Sequence, residues 1–266
     1  MSDRNKPGID DLIGFGMDFI HQAGEKAMLF YGKGRPQVKF DQGVVTEAEI
    51  QLTEFFKGQL HQRFPEHRLF SVDEVNEQYS HEGNRYLWAF DPLEGVANFQ
   101  AGIPLWGLSM ALLENFWPVF GVFFMPATGD LFHARAGCCA YWGRREITMP
   151  TSDGINDESV LLTYSRFHQH YHSSFPGKIR SLGCTSAHIC YVAMGRADAA
   201  LIANESFQGL AAARVIVEAA GGKFSKPDGS EFYLNEYLNG QKIDDHLIVA
   251  APDNLALVRA CLDRTE

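Results

Sequence analysis

Long apolar runs are missing from this 266-residue chain: stretches such as Val119 to Phe124 end at Met125 and Pro126. None approaches the roughly 18 residues that a membrane-spanning helix needs. Basic residues are in deficit, with 23 Lys plus Arg against 33 Asp plus Glu and a net charge of −10. That balance repels a nucleic-acid backbone, and no basic patch reverses it locally. The five cysteines, two of them adjacent at Cys138 and Cys139, form neither an even disulfide framework nor a CxxC metal knuckle. A cytoplasmic, reducing compartment is expected, and the opening Met-Ser-Asp-Arg-Asn-Lys-Pro-Gly lacks the apolar stretch of a signal peptide. Internal repeats and low-complexity tracts are also absent. With 45% hydrophobic and 21% charged residues, disorder, coiled coil and collagen are excluded, and the length suits one large or two small domains.

Two helices are predicted to lead the chain. From Asp10 to Tyr31, Leu12, Phe15, Phe19, Ile20, Ala23, Ala27 and Phe30 recur at three- and four-residue steps until Gly32 and Gly34. After Thr46, the spacing of Leu52, Phe56, Leu60 and Phe64 repeats the pattern, and Pro65 closes it. Short extended pieces follow at Arg68 to Val72, Tyr86 to Phe90, Leu105 to Leu113, Pro118 to Phe124 and Asp130 to Ala134. Their short turns favour antiparallel neighbours. The polar connector Thr148 to Glu158 marks a domain boundary near residue 150. Beyond it strand and helix alternate: strands at Ser159 to Tyr164, Lys178 to Leu182 and His246 to Ala250; helices at His168 to Tyr171, Ser186 to Met194, Gly209 to Ala220 and Asn254 to Asp263. Cys138-Cys139 is expected in a strand, with one thiol buried and one exposed.

The sharpest chemical feature is the segment from Trp88 to Phe99, which places Asp91-Pro92-Leu93-Glu94-Gly95 at the exit of an apolar strand. Pro92 fixes one dihedral and Gly95 permits a tight turn, so the two carboxylates and the Leu93 carbonyl can converge on a hard cation such as Mg²⁺. An ordinary polar loop explains the same residues. Val72-Asp73-Glu74 repeats the strand-end arrangement. Glu49 has two readings: the far half of a Thr46-x-x-Glu49 capping box, or a contact to a metal or water beside a helix N-terminus. The His168, His170, His172 run reads as a polar surface segment rather than a zinc site. Packing accounts for Trp88, Trp106, Trp117 and Trp142, together with a subunit face.

Taken together, these motifs resemble the inositol monophosphatase family of Mg²⁺-dependent, lithium-sensitive phosphatases over essentially the whole chain. The family pattern D-P-[IL]-D-G-[ST]-x-N-F is met by D-P-L-E-G-V-A-N-F at residues 91–99. G-R-A-D at Gly195 to Asp198, the helix behind Val45-Thr46, and Val217-Glu218-Ala219-Ala220-Gly221-Gly222 also match. The resemblance implies an α+β fold of alternating helix and sheet layers. An antiparallel N-terminal sheet would lie in a domain of residues 1–150, and a mixed sheet in a C-terminal domain of residues 151–266 that completes the substrate pocket. It also implies a homodimer, one or two bound Mg²⁺ or Mn²⁺ ions, and a small phosphorylated metabolite as partner.

Carried over by position, the resemblance makes Asp73, Asp91, Glu94 and the Leu93 carbonyl metal ligands and gives Glu49 and Asp73 catalytic roles toward water. Gly95, Val96, Cys184, Thr185, His188 and Glu205 would line the substrate pocket. Several positions depart from the pattern. Glu49 and Glu94 stand where aspartate is usual and Asp73 where glutamate is usual, each shifting its charge by about 1.5 Å. Val96 replaces the hydroxyl residue that helps orient the attacking water, Gly209 replaces the last metal aspartate, and Ile202 replaces a glutamate that contacts substrate hydroxyls. Cys184 and His188 replace a serine and a helix Asp or Asn. The expected activity is hydrolysis of a small phosphate monoester; the alternative is an impaired relative that acts as a binding or regulatory protein.

Overall fold

The structure, a computed structural model, describes residues 7–33, 37–39, 43–71, 86–150 and 154–265. The two leading helices form where the periodicity places them, α1 over Ile9–Met28 and α2 over Glu47–Arg63, with the short hairpin β1 (Gln37–Lys39) and β2 (Gly43–Val45) between. The capping box of α2 is made in full: Thr46 Oγ1 accepts from the Glu49 N–H at 3.2 Å, and Glu49 Oε2 accepts from the Thr46 N–H at 2.6 Å.

A seven-stranded sheet follows, built from β3 (Arg68–Leu69), β4 (Tyr86–Glu94), β5 (Gly107–Glu114), β6 (Trp117–Met125), β7 (Asp130–Arg135), β8 (Ala140–Trp142) and β9 (Arg145–Ile147) in sequential order. It is antiparallel from β4 onward, while β3 pairs parallel to β4. Parallel neighbours need a long crossover, which the chain between Leu69 and Tyr86 is long enough to supply. Alternation then decides the layers. Trp88 and Phe90, Leu108, Met110 and Leu112, and Phe120 and Val122 pack against α1 and α2. Leu87 and Ala89, Ala111 and Leu113, and Phe123 and Met125 face the other way, into a second core.

That second core is shared with α5 (Thr185–Ala193) and α6 (Phe207–Ala219). Gly121 on β6 permits the close approach of α6, because a Cβ there would strike the Ala212 backbone. Beneath these helices lies a mixed five-stranded sheet with the order β12 (Lys178–Arg180), β10 (Val160–Thr163), β13 (Ala199–Ile202), β15 (Leu247–Ala250) and β14 (Lys223–Ser225). The pairs β10–β12 and β10–β13 are parallel, and β13–β15 and β14–β15 antiparallel. Its outer face is covered by α4 (Phe167–His170), α7 (Pro252–Ala260) and the β11–β16 pair (Tyr171–Ser173 with Leu262–Arg264). Helix and sheet layers thus alternate through the molecule, as expected for an α+β chain. The first sheet ends at Ile147 and the second begins at Val160, yet α6 bridges them in one core.

Three local expectations change. Cys138 and Cys139 lie in a turn, with Cys138 exposed and Cys139 half-buried, because the strand starts at Ala140. Of the segment Arg68 to Val72, the described part, residues 68–71, is strand only over Arg68–Leu69. Strands β13 and β14 were not anticipated, since small alanines at Ala199 and Ala200 carry little β-signal. Trp88 and Trp106 are fully buried, whereas Trp117 is 63% exposed. No helix among the described residues is long and apolar enough to cross a membrane.

Candidate active site

The acidic motif lies where β4 leaves the sheet. Between Asp91 and Glu94 the pairing with β5 shifts register, so Asp91 opposes Ser109 and Glu94 opposes Gly107. The extra residue is a β-bulge, a device that re-aims side chains. Pro92 has no N–H to lose there, and Asp91 Oδ1 closes a local turn by accepting from the Leu93 N–H at 3.2 Å. Gly95 follows at φ +75° as the entry to α3 (Val96–Ala101), with a direction for Cβ already filled by the Leu105 carbonyl 2.9 Å away. Asn98 ties this turn to the approach of α5, donating from Nδ2 to the carbonyls of Leu105 and Leu182 at 2.7 Å each.

Glu94, expected as a cation ligand, is engaged by the protein in this structure. Its side chain is 8% exposed, and both oxygens meet one residue: Oε2 accepts from the Ser186 N–H at 3.1 Å and Oε1 from Ser186 Oγ at 2.8 Å. Ser186 is in the first turn of α5, so the carboxylate caps that helix from across the fold, at its positive end. The glutamate's extra methylene helps its carboxyl reach Ser186 across the fold. Burial, foremost, and the nearby Asp91 raise the Glu94 carboxyl well above its usual range.

A second group of oxygens forms at the start of α6. Asn204 at φ +60° turns the chain out of β13, and an antiparallel bridge between Glu205 and Ile243 holds the next residue. Thr185 Oγ1 donates to Glu205 Oε1 at 2.6 Å. Ser206 caps α6 by accepting from the Gly209 N–H at 3.1 Å. Gly209 adds no side chain, and the space over its Cα is informative: a Cβ there would lie 3.2 Å from Ser206 Oγ, 3.4 Å from Asp91 Oδ2 and 3.6 Å from Glu205 Oε2. Burial, with Asp91 adding to it, pushes the Glu205 carboxyl up to about 7, while Lys242 pulls it down. Asp91 is raised for the same main reason, burial, with Glu49 contributing. Glu49 therefore serves as the cap of α2 and acts on the Asp91 carboxylate by its charge.

The remaining pocket residues divide. Thr185 and Glu205 share one hydrogen bond beside this space. Val96 is half-buried at the first position of α3. Cys184 is 2% exposed, and burial pushes its thiol well above the ordinary value, so neither ligand contact nor nucleophilic attack suits it. His188 is 2% exposed, and its Nε2 accepts from the Leu182 N–H at 2.9 Å. Burial pushes it down to about 4. It holds the loop before α5 as a neutral acceptor. Asp73 and Glu74 lie outside the described residues. Sequence reasoning missed Ser186, Ser206 and Asn98; the helix-start positions of the two serines were the available signal.

A family model, that of the inositol monophosphatase family, matches residues 10–253. The chain belongs to this family. It is 30% identical over 216 residues to a histidinol-phosphatase from Chlorobaculum parvum, covering 77% of this chain and 82% of that protein. It is 25% identical over 254 residues to a fructose-1,6-bisphosphatase/inositol-1-monophosphatase from Thermotoga maritima, covering 90% and 94%. The fold matches that of an IMPase/NADP phosphatase solved with NADP and Ca²⁺ at a TM-score of 0.79, with 18% identity and 97% of each chain covered. Inositol monophosphatase family members act as phosphatases on phosphate monoesters, with metal dependence general to the family.

Such a family implies a hard divalent cation, and the donor set over Gly209 tests it. Two carboxylate oxygens and a hydroxyl rim a space that an ordinary Cβ would fill, which is the oxygen chemistry such an ion takes, with water completing its shell. Among the described residues no three His, Cys, Asp or Glu side chains gather as a ready-made metal cluster. The oxygen donors at this point are of the right kind for such an ion, but the described residues supply too few of them for a complete ligand set.

Proposed function

We propose that this chain hydrolyses a small phosphate monoester, an inositol, sugar or nucleotide phosphate, with the aid of Mg²⁺ or Mn²⁺. The observation that carries this reading is the convergence on Gly209 of Asp91, from the first sheet's exit bulge, and Glu205, before α6, both within 4 Å of where its Cβ would stand. A bound divalent ion supplies charge for a dianionic phosphate and acidifies a water for attack. Asp91 is the residue that holds it in this reading, with the Leu93 carbonyl of the same bulge. The N-terminus of α6, which opens beside Asp91 and Glu205, adds a positive dipole end near the phosphate in this reading. Glu49 keeps negative charge beside Asp91 from the start of α2. Val96 offers no hydroxyl to align water, so the reaction runs slowly: one lost hydrogen-bonding group of this kind costs on the order of 10²-fold.

The test is phosphate release from a panel of inositol, sugar, nucleotide and histidinol phosphates in excess Mg²⁺ or Mn²⁺. Release that disappears in Asp91→Asn supports the reading; release that survives this substitution overturns it. A second reading, a noncatalytic family member that binds a phosphorylated ligand, is favoured by Val96 and by the engagement of Glu94 with Ser186. Ligand-induced thermal stabilisation without phosphate release across the panel would select it.

A further inference from the structure

The His168, His170, His172 run does not lie wholly on the surface. His168 and His172 are exposed, but His170, the last residue of α4, is half-buried beside a second half-buried histidine, His246, which precedes β15. Their ring centroids are 5.4 Å apart, with the planes at 79°. A tyrosine hydroxyl holds each ring at Nδ1: Tyr164, just past β10, meets His170 at 3.0 Å, and Tyr171, the first residue of β11, meets His246 at 2.9 Å. Burial raises both tyrosines, Tyr164 up to about 12, so the hydroxyls keep their protons and can donate to neutral imidazoles. Tyr171 is paired across the β11–β16 ladder with Arg264, which lines the same 410 Å³ cavity as His246.

We propose that His170 and His246 form an acid-sensitive latch on β16: neutral, they let this strand dock on β11, and protonated, they drive it off. The docking is closed at both ends. The Thr265 N–H donates to the His170 carbonyl at 2.9 Å, the Thr265 hydroxyl to the Gln169 carbonyl at 3.0 Å, and the Ser174 N–H to the Cys261 carbonyl at 2.9 Å. One latch histidine therefore sits on the segment that receives the strand, and the strand itself carries Arg264. Two imidazolium rings at this spacing repel each other, and Arg264 repels His246. Lys226 and Lys242 also line the cavity, opposed by Asp228, Asp244 and Asp245. On β16, Asp263 stands opposite His172. Asp245 favours a charged His246, but its carboxylate already takes Lys226 Nζ at 2.9 Å and the Tyr237 hydroxyl at 2.8 Å. Burial, then Arg264 and His170, hold His246 below its ordinary value, with Asp245 opposing them. Opening relieves the burial and the Arg264 charge, so the open strand binds a proton that the closed one refuses. Closure is thus favoured above the ordinary histidine value of 6.5 and weakens as pH falls below it. Release of β16 withdraws Leu262 from the apolar cluster of Phe167, Tyr171 and Val258.

The experiment is amide hydrogen exchange of the full chain at about pH 7.5 and about pH 5.5, either side of the ordinary histidine value. The Thr265 and Ser174 amides are read by NMR, each divided by its intrinsic rate at that pH. In wild type their protection is expected to fall about threefold or more at the lower pH. His246→Gln keeps an acceptor for Tyr171 but takes up no proton, and its fall is expected to be smaller. Because this variant retains every other titratable group, acid effects on the whole fold appear equally in both chains. Arg264→Gln keeps both histidines and removes the fixed charge; it is also expected to shrink the fall, and it serves where His246→Gln already loosens the strand at the higher pH. A wild-type fall of less than about threefold, or a fall of the same size in the variant, overturns the latch. Neither result bears on the phosphatase reading.

Discussion

Two corners of this molecule each set a glutamate beside a helix N-terminus, and they use it in opposite ways. At α5, Glu94 meets two donors of Ser186 and is closed off from solvent. At α6, Glu205 meets one donor, Thr185, and its other oxygen lies with Asp91 Oδ2 within 4 Å of where a Gly209 Cβ would stand. The charge, the residue type and the nearby dipole are alike, so what separates a structural carboxylate from a chemical one is how many protein donors it already serves. A carboxylate saturated by the protein stabilises the fold; one left with a free oxygen is available to an ion.

The contrast is most severely strained by Glu94→Ala. It leaves the Ser186 N–H buried without its acceptor and the hydroxyl with only the Gly209 carbonyl at 3.4 Å, and is expected to cost about 2–3 kcal/mol, seen as an earlier midpoint in urea. An unchanged midpoint would show that α5 does not depend on this cap.

Next comes pH. His188 holds its loop as a neutral acceptor, pushed by burial down to about 4 from the ordinary histidine value of 6.5. Below pH 6.5 the unfolded chain binds a proton that the folded chain refuses, so stability present above that pH is lost on acidification toward 4. The loss at pH 4.5 is expected to be about 2 kcal/mol. Glu94, Asp91 and Glu205 have raised values and pull the other way, so the measurement is the difference between wild type and His188→Gln. Parallel pH profiles for the two would refute the assignment.

A smaller effect is expected from Asn98→Ala, which removes two hydrogen bonds that bind the acidic turn to the α5 approach. A loss of about 1–2 kcal/mol in denaturant unfolding is the expected outcome. Smallest is Val96→Thr, which returns a hydroxyl to the first turn of α3. Phosphate release should rise about tenfold, or about 1.4 kcal/mol, with the melting temperature nearly unchanged; no gain would mean that water alignment does not limit the rate.

Much of the fold was legible because its signals are local. The steps of Phe15, Phe19, Ile20 and Ala23, the Thr46–Glu49 box, and the alternation along β4 to β6 depend on neighbours within a few residues. The parallel pairing of β3 was missed because strand direction depends on a distant connection, and β13 because alanines carry no strand signal. In the site, Asp91 and its turn were readable from Asp-Pro-Leu-Glu-Gly. The burial of His188 and Cys184 was not legible, because position along the chain says nothing about which way a helix's buried face looks.

The sequence by itself determined the layers, the caps and an acidic strand end, since dihedral preference and hydrophobic period act between residues close in the chain. Tertiary structure alone decided that Glu94 spans 92 residues to reach Ser186, and that Glu205 and Asp91 share the space over Gly209. A carboxylate's work is set by the donors and charges folding brings to it, and those come from segments whose spacing no local pattern records.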